Sequence, residues 1–188
     1  MGRIVISENL TLDGVVEDPT GEEGFRRGGW FGRITDEDRE AWTRAAFEEA
    51  RRAEALLLGR RSYRFFAARW PSRSGPFADR LNALPKYVVS ATLDRLDWAN
   101  SELLGADVVT GVSRLRRSLD GDIVVYASFG LVDTLLSHDL ADELRLTIFP
   151  IVVGEGRRLF GGIVDEKPLS LVRTATLGGG LSLLTYEL

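Results

Sequence analysis

The stretch "ALLLGRRSY", residues 55–63, runs four apolar residues into Gly59, sets Arg60 beside Arg61 and adds a hydroxyl at Ser62. These residue types suit a phosphate. A glycine lets the backbone approach an anion, a guanidinium supplies charge with a planar fork of donors, and a serine adds one more hydrogen bond. They equally suit the start of a solvent-facing helix capped by the serine. Two other stretches repeat the device. "VVSAT" (88–92) places Ser90 and Thr92 after an apolar run, where ordinary turn chemistry also accounts for them. "YASFGL" (126–131) supplies Ala127 and Ser128, small enough for a pyrophosphate to come close. Three such corners together point to a long phosphorylated ligand lying across strand ends, where helix N-termini offer N–H groups.

Other chemistry is thinner. In "VVGEGRRLF" (152–160), Gly154 and Gly156 either line a ligand or close an apolar strand in a turn. The stretch is no dinucleotide fingerprint, because a third glycine is missing and Gly161, Gly162 and Pro168 leave no room for a long helix. Ser137, His138 and Asp139 are adjacent in sequence, which does not build a triad. The acids considered for proton donation are Asp13 in "TLDGVV" and Asp36 or Asp38 at a helix start, where the last two also simply complement the helix dipole.

The elements that must position these residues follow from periodicity. "RIVIS" (3–7) reads as a buried opening strand, and residues 8–35, with six glycines and one proline, read as a mobile lid or binding loop. Thr35 is placed to cap an amphipathic helix in "TDEDREAWTRAAFEEARRAEA". "ALLLG", "KYVVSA" and "DIVVYAS" are continuous apolar runs suited to central strands, with helical patterns after the first and third. "DELRLTIFPIVVG" and the two strands around Gly178–Gly180 end the chain in antiparallel pairing. The sum is one α/β domain over residues 1–188, a mostly parallel central sheet flanked by helices with antiparallel C-terminal strands. "LRLTIFPIVV" and "LSLLTYEL" carry more apolar surface than a sheet edge leaves exposed, which predicts a two-fold dimer.

Composition narrows the function classes. A formal charge of −4 gives no overall attraction to nucleic acid or anionic membrane. No cysteine and one histidine remove thiol catalysis, disulfides and thiolate metal sites; composition leaves only an all-oxygen magnesium site open, and no metal is expected. With no signal-peptide pattern and no apolar run long enough to span a bilayer, the expected location is the cytoplasm.

The order "SENLTLDGVV", "GGW", "ALLLGRRSY", "KYVVSATL", "IVVYASFGLVDTLL", "ADELRLTIFPIVVGEGRRLF" resembles the dihydrofolate-reductase-like superfamily, in the branch shared with the C-terminal reductase domain of the bacterial riboflavin-biosynthesis deaminase/reductase. The resemblance covers nearly the whole chain. It implies a dihydrofolate-reductase-like fold, commonly homodimeric, and NADPH bound along the carboxyl edge of the sheet. Gly59, Arg60 and Ser62 would then form the phosphate corner, Ser90 and Thr92 the adenosine side, and Ala127, Ser128 and Gly130 the pyrophosphate loop; Arg61, Gly154 and Gly156 stand as further candidate cofactor contacts from the residue reading alone. Asp13 would lie on the substrate side, and Trp30 in a mobile loop near the nicotinamide. Ala127 stands where the family usually has glycine. The Pro-Trp loop and pterin acid of a folate-specific reductase are not evident, and the zinc deaminase half needs cysteines that the chain lacks. The implied function is an NADPH-dependent reductase passing hydride to a small heterocycle, pteridine- or pyrimidine-like, or to a carbonyl compound. The alternative is a non-catalytic dimer binding a nucleotide or small ligand on the same fold.

Overall fold

The computed structural model describes residues 1–163 and 165–188. Eight strands form one sheet: β1 (Arg3–Thr11), β2 (Ala53–Gly59), β3 (Lys86–Val89), β4 (Ser101–Gly105), β5 (Asp122–Tyr126), β6 (Glu143–Phe149), β7 (Ser170–Leu177) and β8 (Leu181–Glu187). Their order is β4-β3-β2-β5-β1-β6-β8-β7. Strand β2 is parallel to both β3 and β5, whereas β8 is antiparallel to β6 and β7. The helices are α1 (Asp36–Arg52), α2 (Arg60–Ala67), α3 (Pro76–Ala83), α4 (Val108–Ser118) and α5 (Phe129–Ser137). None of the described helices is long and apolar enough to cross a membrane. The α/β class, the parallel strands and the antiparallel C-terminal hairpin agree with the sequence reading.

The chain groups into two compact units, Met1–Ile6 with Phe47–Asp142, and Ser7–Ala46 with Glu143–Leu188. In the first, β2 can be a continuous apolar run because neighbours flank it on both sides. Leu56, Leu58, Val88 and Val124 are buried with Tyr63 and Trp98 in its core. Lys86 is also fully buried there. Its ammonium donates to the carbonyls of Asn82 (2.6 Å) and Ala99 (2.9 Å) and lies 4.4 Å from the Trp98 ring centroid, and burial lowers its pKa to about 8. Carbonyl dipoles and a ring face thus replace the water a lysine would otherwise need.

The second unit corrects the reading of residues 8–35. Strand β1 continues to Thr11, Val15 pairs in a bridge with Arg158, and Trp30–Gly32 forms a turn of 3-10 helix. Trp30 is fully buried, its ring edge-on to Phe149 at 5.2 Å and its Nε1–H donating to the Glu17 carbonyl at 2.9 Å. It is a core residue beside Val15, Val153 and Leu181, and its satisfied indole leaves no ring face for a ligand. Residues 20–24, 26 and 27 are exposed, and Gly14, Gly21, Gly24 and Gly29 turn the chain with positive φ.

Thr35 does cap α1, its Oγ1 accepting the Asp38 N–H at 3.1 Å. The buried Asp38 in turn holds the glycine turn of the C-terminal hairpin, its Oδ1 accepting from Gly179 (2.8 Å) and Gly180 (2.9 Å). These backbone donors lower its pKa.

Candidate functional site

In the first unit, β2 ends at Gly59 and α2 begins at Arg60, while β5 ends at Tyr126 and α5 begins at Phe129. Between these corners lies a cleft of about 320 Å³ lined by Gly59, Arg60, Arg61, Ser62, Ser128, Phe129 and Gly130, with Val89, Val108, Leu131 and Thr134. The cleft thus brings together residues that the sequence reading named at two separate corners. That reading missed Val89, Val108, Leu131 and Thr134, whose alternation or helical spacing marks only burial.

The hydroxyls knit the two corners together. The Gly59 N–H donates to Ser128 Oγ (3.0 Å), the Ser128 hydroxyl donates to the Tyr126 carbonyl (3.0 Å), and the Ser128 N–H donates to Ser62 Oγ (2.8 Å). Ser128 is buried and fully used in this way, so it shapes the cleft chiefly by fixing backbone. Ala127 and Ser128 both adopt the left-handed region, with φ of 50° and 66°. For residues with a Cβ this costs about 1 kcal/mol each, and it turns the chain sharply enough to start α5 at the cleft. A glycine at 127 would relieve that strain.

Two features of the cleft offer donors and positive charge. Gly130 would meet nothing within 4 Å if it carried a Cβ, so the cleft is open over it. It lies in the first turn of α5, whose leading N–H groups have no acceptor within the helix and carry the positive end of its dipole. Arg60 and Arg61, at the start of α2, add positive charge to the same cleft. Arg60 Nη1 donates to Thr92 Oγ1 at 3.1 Å, and the Arg61 guanidinium lies 5.9 Å from the Phe129 ring centroid. Ser90 is buried, and its Oγ accepts from the N–H groups of Thr92 (3.1 Å) and Leu93 (3.0 Å). It supports the turn that presents Thr92.

Asp13, Gly154 and Gly156 lie in the second unit and do not line this cleft. The Asp13 carboxylate accepts from the Thr11 hydroxyl (2.7 Å) and from the N–H groups of Val153 (3.1 Å) and Gly154 (2.8 Å). Burial pushes its pKa up, but these donors outweigh it and hold the group at about 2. Ionised at neutral pH, it accepts hydrogen bonds and has no proton to give. Gly154 and Gly156 have φ of 86° and 111°, and a Cβ on Gly156 would fall 2.9 Å from Phe25 Cζ, so backbone geometry and packing explain both glycines.

Asp13→Asn should cost about 1–2 kcal/mol of stability near pH 7, since an uncharged amide accepts these hydrogen bonds less well. The depressed folded pKa stabilises the native state fully above the unfolded value of 3.8 and loses that effect as the pH falls through about 2. Urea unfolding of both proteins across that range should therefore show the difference shrinking with acid; a constant difference would mean the charge is irrelevant.

The model of the RibD C-terminal domain family matches residues 3–183. The chain belongs to this family. Its sequence is 27% identical over 191 residues to the uncharacterized protein YyaP of Bacillus subtilis, covering 98% of this chain and 94% of that one. A putative riboflavin biosynthesis protein from Shewanella sp. PV-4 superposes with a TM-score of 0.72 at 18% identity, covering 98% of each chain. Dihydrofolate reductase from Enterococcus faecalis, solved in complex with NADP(H), does so with a TM-score of 0.63 at 14% identity, covering 98% of this chain and 95% of that one. The dihydrofolate-reductase-like fold expected from the motif order is thereby shown.

Proposed function

We propose that this RibD C-terminal domain protein is a cytoplasmic, NADPH-dependent reductase passing hydride to a small pteridine- or pyrimidine-like heterocycle or to a carbonyl compound. The observation that carries the reading is the cleft itself, where the N-termini of α2 and α5, two guanidinium groups and the uncovered Gly130 converge. Such a concentration of donors and positive potential fits a dinucleotide's phosphates. Family membership and the NADP(H) complex of a neighbour on the same fold support the choice of nucleotide.

In this reading Arg60, braced by Thr92, binds the 2'-phosphate, and the first turn of α5, including the Gly130 N–H, binds the pyrophosphate. Ser62 and Ser128 hold the two corners at a fixed separation, and Ala127 turns the chain toward α5. The nicotinamide, when bound, supplies the hydride. Asp13 keeps the 151–154 segment in place as an acceptor. The test is loss of nicotinamide absorbance when protein and NADPH meet a panel of dihydropteridines, aminopyrimidinones and small carbonyl compounds. Turnover of at least one member is expected; binding of NADPH without turnover of any would favour the second reading, a ligand-binding protein that performs no reaction. Asp13 supports that rival, since its low pKa withdraws the acid considered at the sequence level.

The working form in this proposal is a homodimer. Strand β7 stands at the end of the sheet order and exposes Leu171 and Val172, with Leu169 exposed just before it. An edge strand of that kind invites pairing or packing with a second copy. Light scattering should give about twice 20.8 kDa. A monomer mass that does not change with concentration would remove the dimer from the account.

A further inference from the structure

From Arg60 to Ala78 the chain holds five arginines and no acidic residue, in a protein whose formal charge is −4. The cleft accounts for Arg60 and Arg61. It leaves Arg64 unexplained, an exposed residue one turn further along α2 that does not line the cleft. Positions four apart share a helix face with their Cβ atoms about 6 Å apart, so Arg64 stands behind Arg60 on the same face of α2. This arrangement works against the helix. Like charges at that spacing destabilise it, and cations in the first turn oppose its dipole. Gly59 at the N-cap supplies no side-chain cap, and the first turn of α2 holds no acid. Helix α1 shows the opposite order, with Asp36, Glu37 and Asp38 in its first turn and Arg51 and Arg52 in its last. Helix α4 is likewise capped by Asp107 and keeps Arg116 and Arg117 in its last turn. A local rule obeyed in two helices and broken in a third marks a place shaped by something other than stability.

We propose that Arg64 is a steering residue of the nucleotide cleft, drawing the anionic ligand in by long-range attraction without touching it once bound. The proposal rests on the nucleotide reading of the preceding section. With a formal charge of −4 the protein as a whole repels a polyanion, so fast association needs a local field of the opposite sign beside the cleft. Distance decides which arginines supply it. The Debye length is about 8 Å at physiological ionic strength, so Arg64, about 6 Å from Arg60 along the helix, acts on a ligand approaching that residue. Arg73 does not. Its guanidinium is held 4.7 Å from the Trp70 ring centroid, past the C-terminal end of α2, and an eight-residue helix puts about 12 Å between its ends. Attraction of this kind grows with ligand charge, and NADPH carries roughly two more negative charges than NADH, those of its extra phosphate monoester. Arg64 therefore adds a preference for NADPH in the association rate to the contact preference supplied by Arg60.

Stopped-flow binding of NADPH and NADH to the full chain tests this, with the variants Arg64→Gln, Arg64→Glu and Arg73→Gln. At about 0.15 M salt, association of NADPH should slow about twofold in Arg64→Gln and about fourfold in Arg64→Glu, with NADH slowed by a smaller factor and dissociation unchanged. Arg73→Gln should keep its association rate within about 1.3-fold of wild type. At about 1 M salt, where the Debye length is about 3 Å, wild type and variants should associate alike. Thermal unfolding gives an independent readout, because both Arg64 variants relieve the repulsion with Arg60 and should melt at or above the wild-type temperature. An association rate unmoved by Arg64→Glu, a loss confined to dissociation, a loss that persists at about 1 M salt, or a lower melting temperature in both Arg64 variants would each overturn the proposal. Absence of NADPH binding by the wild type would overturn the nucleotide reading and this one with it, whereas binding at a rate indifferent to residue 64 would overturn this one alone.

Discussion

Replacing Arg60 with alanine is expected to weaken NADPH binding roughly 10- to 150-fold, about 1.5–3 kcal/mol, while NADH changes by no more than about threefold. The difference isolates the 2'-phosphate, the one group that NADH lacks. Arg60 is the natural partner because it is exposed at the start of α2, lines the cleft and is braced by Thr92. The brace limits the rotamers the guanidinium must surrender on binding, so more of the charged hydrogen bond shows up as affinity. Arg61 lies over Phe129 at the head of α5. Its replacement should cost both nucleotides a similar and smaller factor, about two- to fivefold, the worth of one solvent-exposed cation near the pyrophosphate. Isothermal titration of the three proteins with both nucleotides checks the pattern. Equal losses for NADPH and NADH in Arg60→Ala would move its contact to the pyrophosphate.

The larger loss is expected from Gly130→Asp. A Cβ there meets no protein atom within 4 Å, so folding should be preserved and Tm nearly unchanged. The new carboxylate would nevertheless occupy the cleft at the first turn of α5 and set negative charge against the pyrophosphate. Like charges brought together in this way cost several kcal/mol, so both nucleotides should bind on the order of a hundredfold more weakly or not measurably. Gly130→Asn has nearly the same volume and no charge, and should retain a larger share of the affinity. A native Tm with unimpaired binding in Gly130→Asp would show that the nucleotide lies elsewhere.

How far the sequence could be read depended on where burial and polarity agree. Residues 55–59 and 122–126 were recognisable because a strand with neighbours on both sides must be apolar throughout. Thr35 could be recognised as a cap because an oxygen three residues before Asp38 is what a helix start needs. The two corners that line the cleft, at 59–62 and 128–130, were legible for a related reason, since small, hydroxyl and cationic residues after an apolar run are costly anywhere but at a strand end. Elements α3, β4 and α4 gave little signal. Strand β4 is largely exposed and carries Ser101 and Glu102, and α4 opens with β-branched residues and Gly111, so neither shows a clean period. The cap of α4 was nonetheless present in Asp107, which accepts the Thr110 N–H at 3.0 Å.

The glycine-rich segment 8–35 misled in a specific way. Trp30 was read as a ring waiting for a ligand, whereas its indole is buried against Val15, Phe149, Val153 and Leu181. Ending the first strand at Ser7 had a second cost. Once β1 is extended to Thr11, Glu8 stands out as an acid in an aliphatic row, and Asp13 becomes the anchor of a turn. Whether a carboxylate is spent on its own backbone or left unpaired depends on partners more than a hundred residues away, such as Val153 and Gly154, and no local pattern reports them.

The most direct test of the central claim is titration of the unmodified protein with NADPH and with NADH at equal ionic strength. The account predicts saturable, one-site binding in which NADPH is favoured by at least about tenfold, with the preference falling as salt screens the Arg60 contact. No binding of either nucleotide at millimolar concentration would contradict it.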